Sequence, residues 1–508
     1  LNIVICGGGT AGWLSAFIIS QTNPYQHNIT VVESSKIGII GAGEASSGLI
    51  IDILSGNFFY NNKKLMSNNA DTEINILDFL DKTDAIPKYA IKHINWAKDR
   101  GSYFAPITAS ETTKNSPDHL FNYAISEYGL DKAYLSSVIG QAYDSNKFPL
   151  KRDFGLHFDA FKVGKYIKDY LVKYYNIKFV DSIIKDVQIE SNGNINGILL
   201  EDDSILEGDF FIDCTGMQRV LANKLEIKWH SYKDYLPVDR AMPFLVEYKE
   251  NRRIQPFTEA EALSSGWMWR TPLASRKGCG YVYSSSFISE DEAQAEAEKT
   301  MGHPIEPIKH LKFDSGRLEE IWKKNCLVTG LASSFIEPLE ATSIHATIAQ
   351  VYSFCLEHLT NKIETTVTEA NIKNYNNNII KMYENLLDFT VLHYQGGRDD
   401  SEFWKHIKNE NLVTPTVKNY IEKAKNRIPT FLYASQEQWG ANDLWKWSLA
   451  GLNLIDPDLA REELLQFDMY DYARSHYEHF KDRTDRELLD QFLPFEIDLK
   501  NPISFYLT

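Results

Sequence analysis

The start of this chain constrains its fold more than any other feature. A run of β-favouring residues, Ile3-Val4-Ile5-Cys6, feeds directly into Gly7-Gly8-Gly9-Thr10-Ala11-Gly12-Trp13. Gly7, Gly9 and Gly12 have the spacing G-x-G-x-x-G. The first glycine of such a turn permits a sharp bend, the second lets a pyrophosphate approach the backbone, and the third lets the next helix pack close to the strand. That helix offers free N–H groups and the positive end of its dipole to the phosphates. A second run, Ile29-Thr30-Val31-Val32, ends at Glu33, where a carboxylate can accept hydrogen bonds from an adenosine ribose. Strand, glycine turn, helix, strand and acid in register predict a Rossmann-like α/β unit that binds a dinucleotide. Thr10 and Ala11 complete the turn. The motif does not separate FAD from NAD.

The 508 residues suit two or three domains, or one large enzyme with interleaved modules. Further strands are expected at Ile198-Leu199-Leu200, after the turn residues Asn192-Gly193 and Asn196-Gly197. Others are expected at Tyr281-Val282-Tyr283 and at Phe210-Phe211-Ile212-Asp213, which ends near Gly216. From about residue 344 helical periodicity dominates. Ile348, Val351, Tyr352, Cys355 and Leu356 would line one buried stripe. More helix is expected around Leu464-Leu465 and from Leu488 to Leu493. There is no repeat, low-complexity tract or obvious linker, so the modules are expected to pack as one body.

The net charge of −16 argues against nucleic acid or anionic membrane as a partner, since both attract basic surfaces. No window is long and apolar enough to span a bilayer. No basic region followed by an apolar run opens the sequence, so no signal peptide is expected and the cytoplasm is the expected compartment. Cys6, Cys214, Cys279, Cys326 and Cys355 are odd in number and include no C-x-x-C pair. Reduced buried thiols are expected, and no metal site. The 13% aromatic content fits either an aromatic-binding cavity or simply a ring-rich core.

Several stretches then recur in a telling order. After the first turn come Gly41-Ala42-Gly43-Glu44-Ala45-Ser46, Lys88-Tyr89-Ala90-Ile91-Lys92-His93-Ile94-Asn95-Trp96 and His157-Phe158-Asp159-Ala160. They are followed by Asp213-Cys214-Thr215-Gly216, Gly266-Trp267-Met268-Trp269-Arg270-Thr271-Pro272 and Phe335-Ile336-Glu337-Pro338-Leu339-Glu340-Ala341-Thr342. From residue 1 to about 360 the chain resembles the flavin-dependent tryptophan halogenases. Their W-x-W-x-I-P element is the most specific match, here with Thr271 in place of Ile.

The resemblance implies a flavin-monooxygenase-type FAD module with a mainly helical C-terminal substrate module. The FAD-binding core would cover 1–345, with substrate-side insertions at about 90–155, and the helical module 346–508. It implies FAD, supplied as FADH2 by a separate flavin reductase, with O2 and a halide (chloride, bromide or iodide) as co-substrates. A flavin hydroperoxide oxidises the halide, and the hypohalous acid formed travels to a lysine beside a small aromatic substrate. Lys88 matches that lysine and Glu340 the essential glutamate. Thr342 and Ser343 match the pair whose amides hold the halide, Ala42 and Gly43 belong to the flavin loop, and Ile184 and Ile344 match apolar flavin contacts. Trp267, Trp269 and Pro272 match the wall between flavin and substrate. An ammonium can hydrogen-bond hypohalous acid and make its halogen more electrophilic, whereas a neutral amine could form a haloamine. A carboxylate can orient the electrophile or take the ring proton. Lys92 is the alternative lysine, and Glu337 reads as structural.

The sequence also departs from the family. Ala341 stands where a serine is usual and Ser343 where a glycine is usual; a side chain at 343 restricts positive φ. Asn122 and Ala124 fall where tryptophan-specific members stack the indole. Trp445 and Lys446 fall where tyrosines hold the amino-acid carboxylate. The expected substrate is therefore an indole, phenol or larger aromatic rather than free tryptophan. Two alternatives remain at this point: a flavin-dependent aromatic hydroxylase, which has no need of Lys88, Glu340 or the Trp pair, and a flavin-binding homologue without turnover.

Overall fold

The computed structural model describes residues 1–22, 27–38, 43–54, 74–99, 101–107, 119–130, 154–248, 254–359, 367–429 and 441–484. Ala42 and the 488–493 segment lie outside these residues. The chain forms two units, each assembled from three separate segments. The first comprises Leu1–Ala85, Phe158–Tyr232 and Asp314–Glu384; the second comprises Ile86–His157, Lys233–Phe313 and Asn385–Thr508. The boundary expected near 345 falls inside the helix Thr342–Phe354, all of which belongs to the first unit.

The first unit is α/β. Its main sheet runs Lys178–Asp181, Asn28–Glu33, Asn2–Cys6, Phe210–Asp213, Cys326–Val328 and Trp322–Lys323. Five strands are parallel and the last is an antiparallel edge. In chain order the parallel strands read 3-2-1-4-5, so the order reverses beside Asn2–Cys6. Ligands of such sheets bind at that switch, beyond the carboxyl ends of the strands. Asn2–Cys6 is apolar along nearly its whole length because helices cover both faces of a parallel sheet. The expected strand near 198–200 is Ile195–Leu200, in a separate antiparallel sheet with Ile184–Ile189 and Ile205–Glu207.

The second unit is built on a seven-stranded sheet. Its order is Leu311–Lys312, Arg240–Glu247, Arg276–Tyr283, Gly266–Pro272, Phe257–Ala262, Ala90–Ile94 and Ser102–Pro106. Only the Phe257–Ala262/Ala90–Ile94 pair is parallel. Met242, Phe244, Met268, Cys279, Tyr281 and Tyr283 form a core with Ala293 and Ala297 of the helix Glu290–Met301. That helix starts with a capping box, Ser289 with Glu292, and ends at a left-handed Gly302, a signature readable in sequence. C-terminal helices include Glu402–Asn409, Pro415–Ala424, Ala441–Gly451, Pro457–Gln466 and Tyr470–Thr484.

Much of the aromatic content is core. Trp13, Trp96, Trp267, Trp322, Trp404 and Trp447 are almost completely buried. The five cysteines are free and buried. No helix among the described residues is long and apolar enough to cross a membrane.

The stripe expected after residue 344 is only partly correct. Ile348, Val351 and Cys355 are buried. However, the α-helix ends at Phe354 and passes into a π turn over Cys355–Leu359. The wider turn rotates later residues off the α-helical face, which leaves Leu356 39% exposed. Tyr352 is half-buried.

Candidate active site

In the first unit the glycine turn lies at the sheet's switch point. Gly7 has φ 115°, and a Cβ there would lie 2.2 Å from the Cys214 carbonyl oxygen. A Cβ on Gly12 would lie 1.8 Å from the Gly7 carbonyl oxygen. Only glycine fits either position. Gly9 differs, because a Cβ there would meet nothing within 4 Å. Its backbone borders open space, as approach by a pyrophosphate requires. Beside it, the Thr10 hydroxyl is buried without a hydrogen-bond partner at the start of the helix Thr10–Thr22, where phosphate oxygens would satisfy it. These residues fit a dinucleotide cofactor. Ala11 packs so tightly that a Cβ on Gly330 would lie 2.6 Å from its methyl carbon.

Glu33 ends its strand as expected, and it is already engaged. Trp13 Nε1–H donates to Glu33 Oε2 at 3.1 Å, and the Lys168 ammonium pairs with Oε1. Gly43 has φ 90° and leads into the short strand Glu44–Ala45. Burial and the nearby Asp159 push the Glu44 carboxyl up to about 7. Ile184 opens the strand Ile184–Ile189 and is half-buried.

Asp213 has a structural task that the sequence did not reveal. It accepts from the backbone N–H and hydroxyl of Thr215 and from the N–H groups of Leu221 and Ala222, at 2.6–2.9 Å. It thereby ties strand Phe210–Asp213 to the start of helix Val220–Lys224.

The Glu340 region is a 3-10 turn, Pro338–Glu340, then Ala341, then the helix Thr342–Phe354. Glu340, Thr342 and Ser343 are half-buried, Ile344 and Glu337 buried. Ser343 is helical, and the left-handed residue is Ala341, with φ 53°. The backbone reverses one step earlier, between the turn and the helix, so Ser343 bears no φ strain. Ala341 at the N-cap supplies no side-chain hydrogen bond, where Ser, Thr, Asp or Asn would close off first-turn amides. The Ser47 hydroxyl and His345 Nδ1 form a short hydrogen bond. Burial lowers the His345 imidazole to about 3, so it is neutral.

In the second unit Lys88 ends the strand Ile86–Lys88, paired antiparallel with Gly155–Phe158 so that Ile86 faces His157 and Lys88 faces Gly155. Lys88 is 1% exposed, a rare state for a lysine. His157 is fully buried. Burial and the Lys88 charge hold its imidazole well below the usual histidine range. His157 Nε2 and the Thr258 hydroxyl are 2.8 Å apart. Lys92, the alternative, is half-exposed, with its ammonium 5.4 Å from the centre of the Phe104 ring.

Trp267 and Trp269 share one face of Gly266–Pro272, with ring centroids 6.2 Å apart. Gly280 makes room for Trp269: a Cβ there would lie 2.1 Å from the indole. Alternation puts Pro272 on the opposite face from the two indoles. There it lines an open cavity of about 260 Å³ with Tyr248, Gln255, Phe257, Glu259, Arg270 and Lys277. Arg270 bridges Glu259 and Glu261 at 2.7 and 2.8 Å.

Asn122 and Ala124 are buried on the helix His119–Glu127. Asn122 Nδ2 reaches Glu463 Oε2 at 3.4 Å, while its Oδ1 is buried without a partner. Trp445 and Lys446 are buried on Ala441–Gly451. The Trp445 ring lies 4.5 Å from Tyr420 and 5.9 Å from Phe389, and its indole N–H has no hydrogen-bond partner. The Lys446 ammonium lies 5.2 Å from the Phe121 ring. The sequence reading missed two buried histidines of the same unit. His93 stacks on Tyr103 at 4.8 Å and lies 4.7 Å from His393. His93 stands in a quoted motif and sits on a strand, which was the available signal.

The sequence matches the tryptophan halogenase family over residues 2–462. Tryptophan 7-halogenase RebH of Lentzea aerocolonigenes is 30% identical over 450 residues, 81% of this chain and 79% of that protein. Tryptophan 6-halogenase SttH of Streptomyces toxytricini is 28% identical over 467 residues, 84% of each chain. The solved structure of Tar14, a tryptophan C-6 flavin-dependent halogenase (chlorinase) from taromycin biosynthesis, superposes with a TM-score of 0.83. It is 26% identical, with 99% of each chain covered. With a glycine turn open at Gly9 and a buried lysine at Lys88, the chain belongs to the tryptophan halogenases, flavin-dependent oxidoreductases that use FADH2, O2 and a halide to halogenate aromatic compounds.

Proposed function

We propose that this enzyme halogenates an electron-rich aromatic such as an indole or phenol, in preference to free tryptophan, with hypohalous acid activated at Lys88. Bound FADH2 with O2 supplies the two-electron oxidation of halide, and a separate flavin reductase supplies the FADH2. The uncapped amides of Thr342 and Ser343 would hold the halide, since free first-turn N–H groups favour anions. Lys88, beside a neutral His157, acts in this reading as an ammonium and donates a hydrogen bond to the oxygen of hypohalous acid. The ring attacks the halogen, the oxygen–halogen bond breaks toward oxygen, and that oxygen leaves as water with a proton from Lys88. Glu340 takes the ring proton, and the two residues return to their starting states by proton exchange with solvent.

The observation that carries this reading is the burial of Lys88. A lysine taken out of water sacrifices its solvation, and catalytic duty explains that cost better than packing does. The preference against tryptophan rests on Asn122, Ala124, Trp445 and Lys446 standing where the family stacks and anchors the amino acid.

The test is mass spectrometry of products from an aromatic panel. The panel is incubated with FAD, a flavin reductase, NADH and chloride, bromide or iodide in turn. The expected products gain the mass of the halogen supplied, and tryptophan is converted more slowly than indole or phenols. Products that gain oxygen irrespective of halide would replace this reading with aromatic hydroxylation.

A further inference from the structure

The uncapped start of Thr342–Phe354 poses a physical problem. Ala341 takes a left-handed conformation, which is unfavourable for a non-glycine residue, and its side chain ties nothing down. An anion site needs its amides fixed, because a loose turn would have to be ordered anew by each halide that binds. Something beyond the helix's own N-cap must therefore hold this turn.

His345, in the first turn, can do so. Its Nδ1 hydrogen-bonds the hydroxyl of Ser47, far away in sequence. Ser47 lies between the strand Glu44–Ala45 and the helix Leu49–Leu54, directly after the loop that opens with the left-handed Gly43. Thr347 adds a bond from its hydroxyl to the Ser343 carbonyl oxygen at 2.9 Å, which fixes the turn from the side of the helix body. His345 is neutral, as suits an imidazole near the positive end of a helix dipole. It therefore brings no competing charge to the turn.

We propose that His345 is a positioning residue for the halide turn: through Ser47 it clamps the first turn of Thr342–Phe354 to the loop after Gly43, and so sets the spacing of the Thr342 and Ser343 amides. The inference rests on the halide assignment made above. It makes His345 and Ser47 determinants of halide affinity and of bromide-over-chloride selectivity, acting through the backbone.

The test uses the full chain loaded with FAD, in Ser47→Ala, His345→Asn, His345→Phe and the double variant Ser47→Ala/His345→Phe. Two quantities are measured: KM and kcat for bromide and chloride, and the bromide dependence of the thermal midpoint. Losing the hydrogen bond should raise halide KM about three- to tenfold in Ser47→Ala and in His345→Phe. The same variants should need correspondingly more bromide for a given thermal shift, while kcat at saturating bromide stays within about twofold of wild type. The double variant should be no worse than the worse single one, because both remove one interaction. His345→Asn, whose amide can reach the Nδ1 position, should retain most of the affinity. If His345→Phe does not fold, the single-oxygen deletion in Ser47→Ala carries the same expectation. Unchanged halide KM and thermal titration in Ser47→Ala would overturn the proposal, as would independent, multiplying effects in the double variant. A wild-type enzyme with no halide-dependent product would instead overturn the halogenase reading on which it rests.

Discussion

Gly9→Val separates the cofactor site from the fold that carries it. The three turn glycines have different surroundings. A Cβ at Gly12 would sit 1.8 Å from the Gly7 carbonyl oxygen, so backbone must move, whereas a Cβ at Gly9 meets no atom within 4 Å. Gly9 also accepts the Trp13 N–H through its own carbonyl at 3.1 Å, a bond that a side chain does not disturb. The FAD-free protein should therefore tolerate Gly9→Val at a cost of about 1 kcal/mol, the scale of replacing an N-cap glycine by an apolar residue. Gly12→Ala should cost several times more, as expected of overpacking against backbone. FAD should report the opposite contrast to stability. A valine side chain fills the space from which a pyrophosphate approaches and denies it a charged backbone hydrogen bond, worth about 1.5–3 kcal/mol. FAD affinity should fall at least tenfold and up to a few hundredfold. Thermal midpoints without FAD and fluorescence titrations with FAD measure the two effects separately. Wild-type FAD affinity in Gly9→Val, or equal destabilisation of the FAD-free protein by Gly9→Val and Gly12→Ala, would refute the placement.

Other expectations follow from the same residues. In competition, tryptophan should be halogenated more slowly than indole or a phenol; product chromatography in which tryptophan wins contradicts the pocket assignment. The sequence carries one clear dinucleotide turn, so the enzyme alone should oxidise NADH negligibly and need an added reductase; rapid loss of NADH absorbance without reductase would favour the hydroxylase reading. The Glu44 carboxyl is raised to about 7 from an ordinary 4.5, so between those values the folded state binds the extra proton and stability falls as pH rises through 7. Glu44→Gln removes that penalty. Its thermal midpoint relative to wild type, without FAD, should be higher at pH 8 than at pH 5, and a difference independent of pH would contradict the burial argument.

Local signals carried part of this fold clearly. Ile3–Gly12 could be read because turn, helix start and strand are encoded within a dozen residues, and Phe210–Asp213 because its apolar run stops at a glycine. The chemistry-bearing residue types were legible only as motifs. Nothing local distinguishes Lys88 from Lys92: both are lysines near strand residues, and burial separates them only once Ile86–Lys88 pairs with a strand some seventy residues later. The His157–Thr258 and Ser47–His345 hydrogen bonds likewise join segments about a hundred and three hundred residues apart. A period or a spacing carries no such information. The interleaving of the two units was equally hidden, because each boundary is crossed without a linker-like composition. The left-handed conformation of Ala341 was hidden for a different reason: an alanine carries no local signal for positive φ.

The most direct test of the central claim pairs two measurements on Lys88→Ala: stopped-flow spectra of FADH2 oxidation by O2, and chromatography of halogenated product. The account predicts nearly unchanged flavin oxidation with product formation reduced at least a hundredfold, about 3 kcal/mol of barrier. Lys88→Arg should not restore it, because a planar guanidinium cannot place a compact donor at the same point. Lys92→Ala should stay within severalfold of wild type. Wild-type product yield from Lys88→Ala, or a loss that appears in Lys92→Ala instead, would contradict the account.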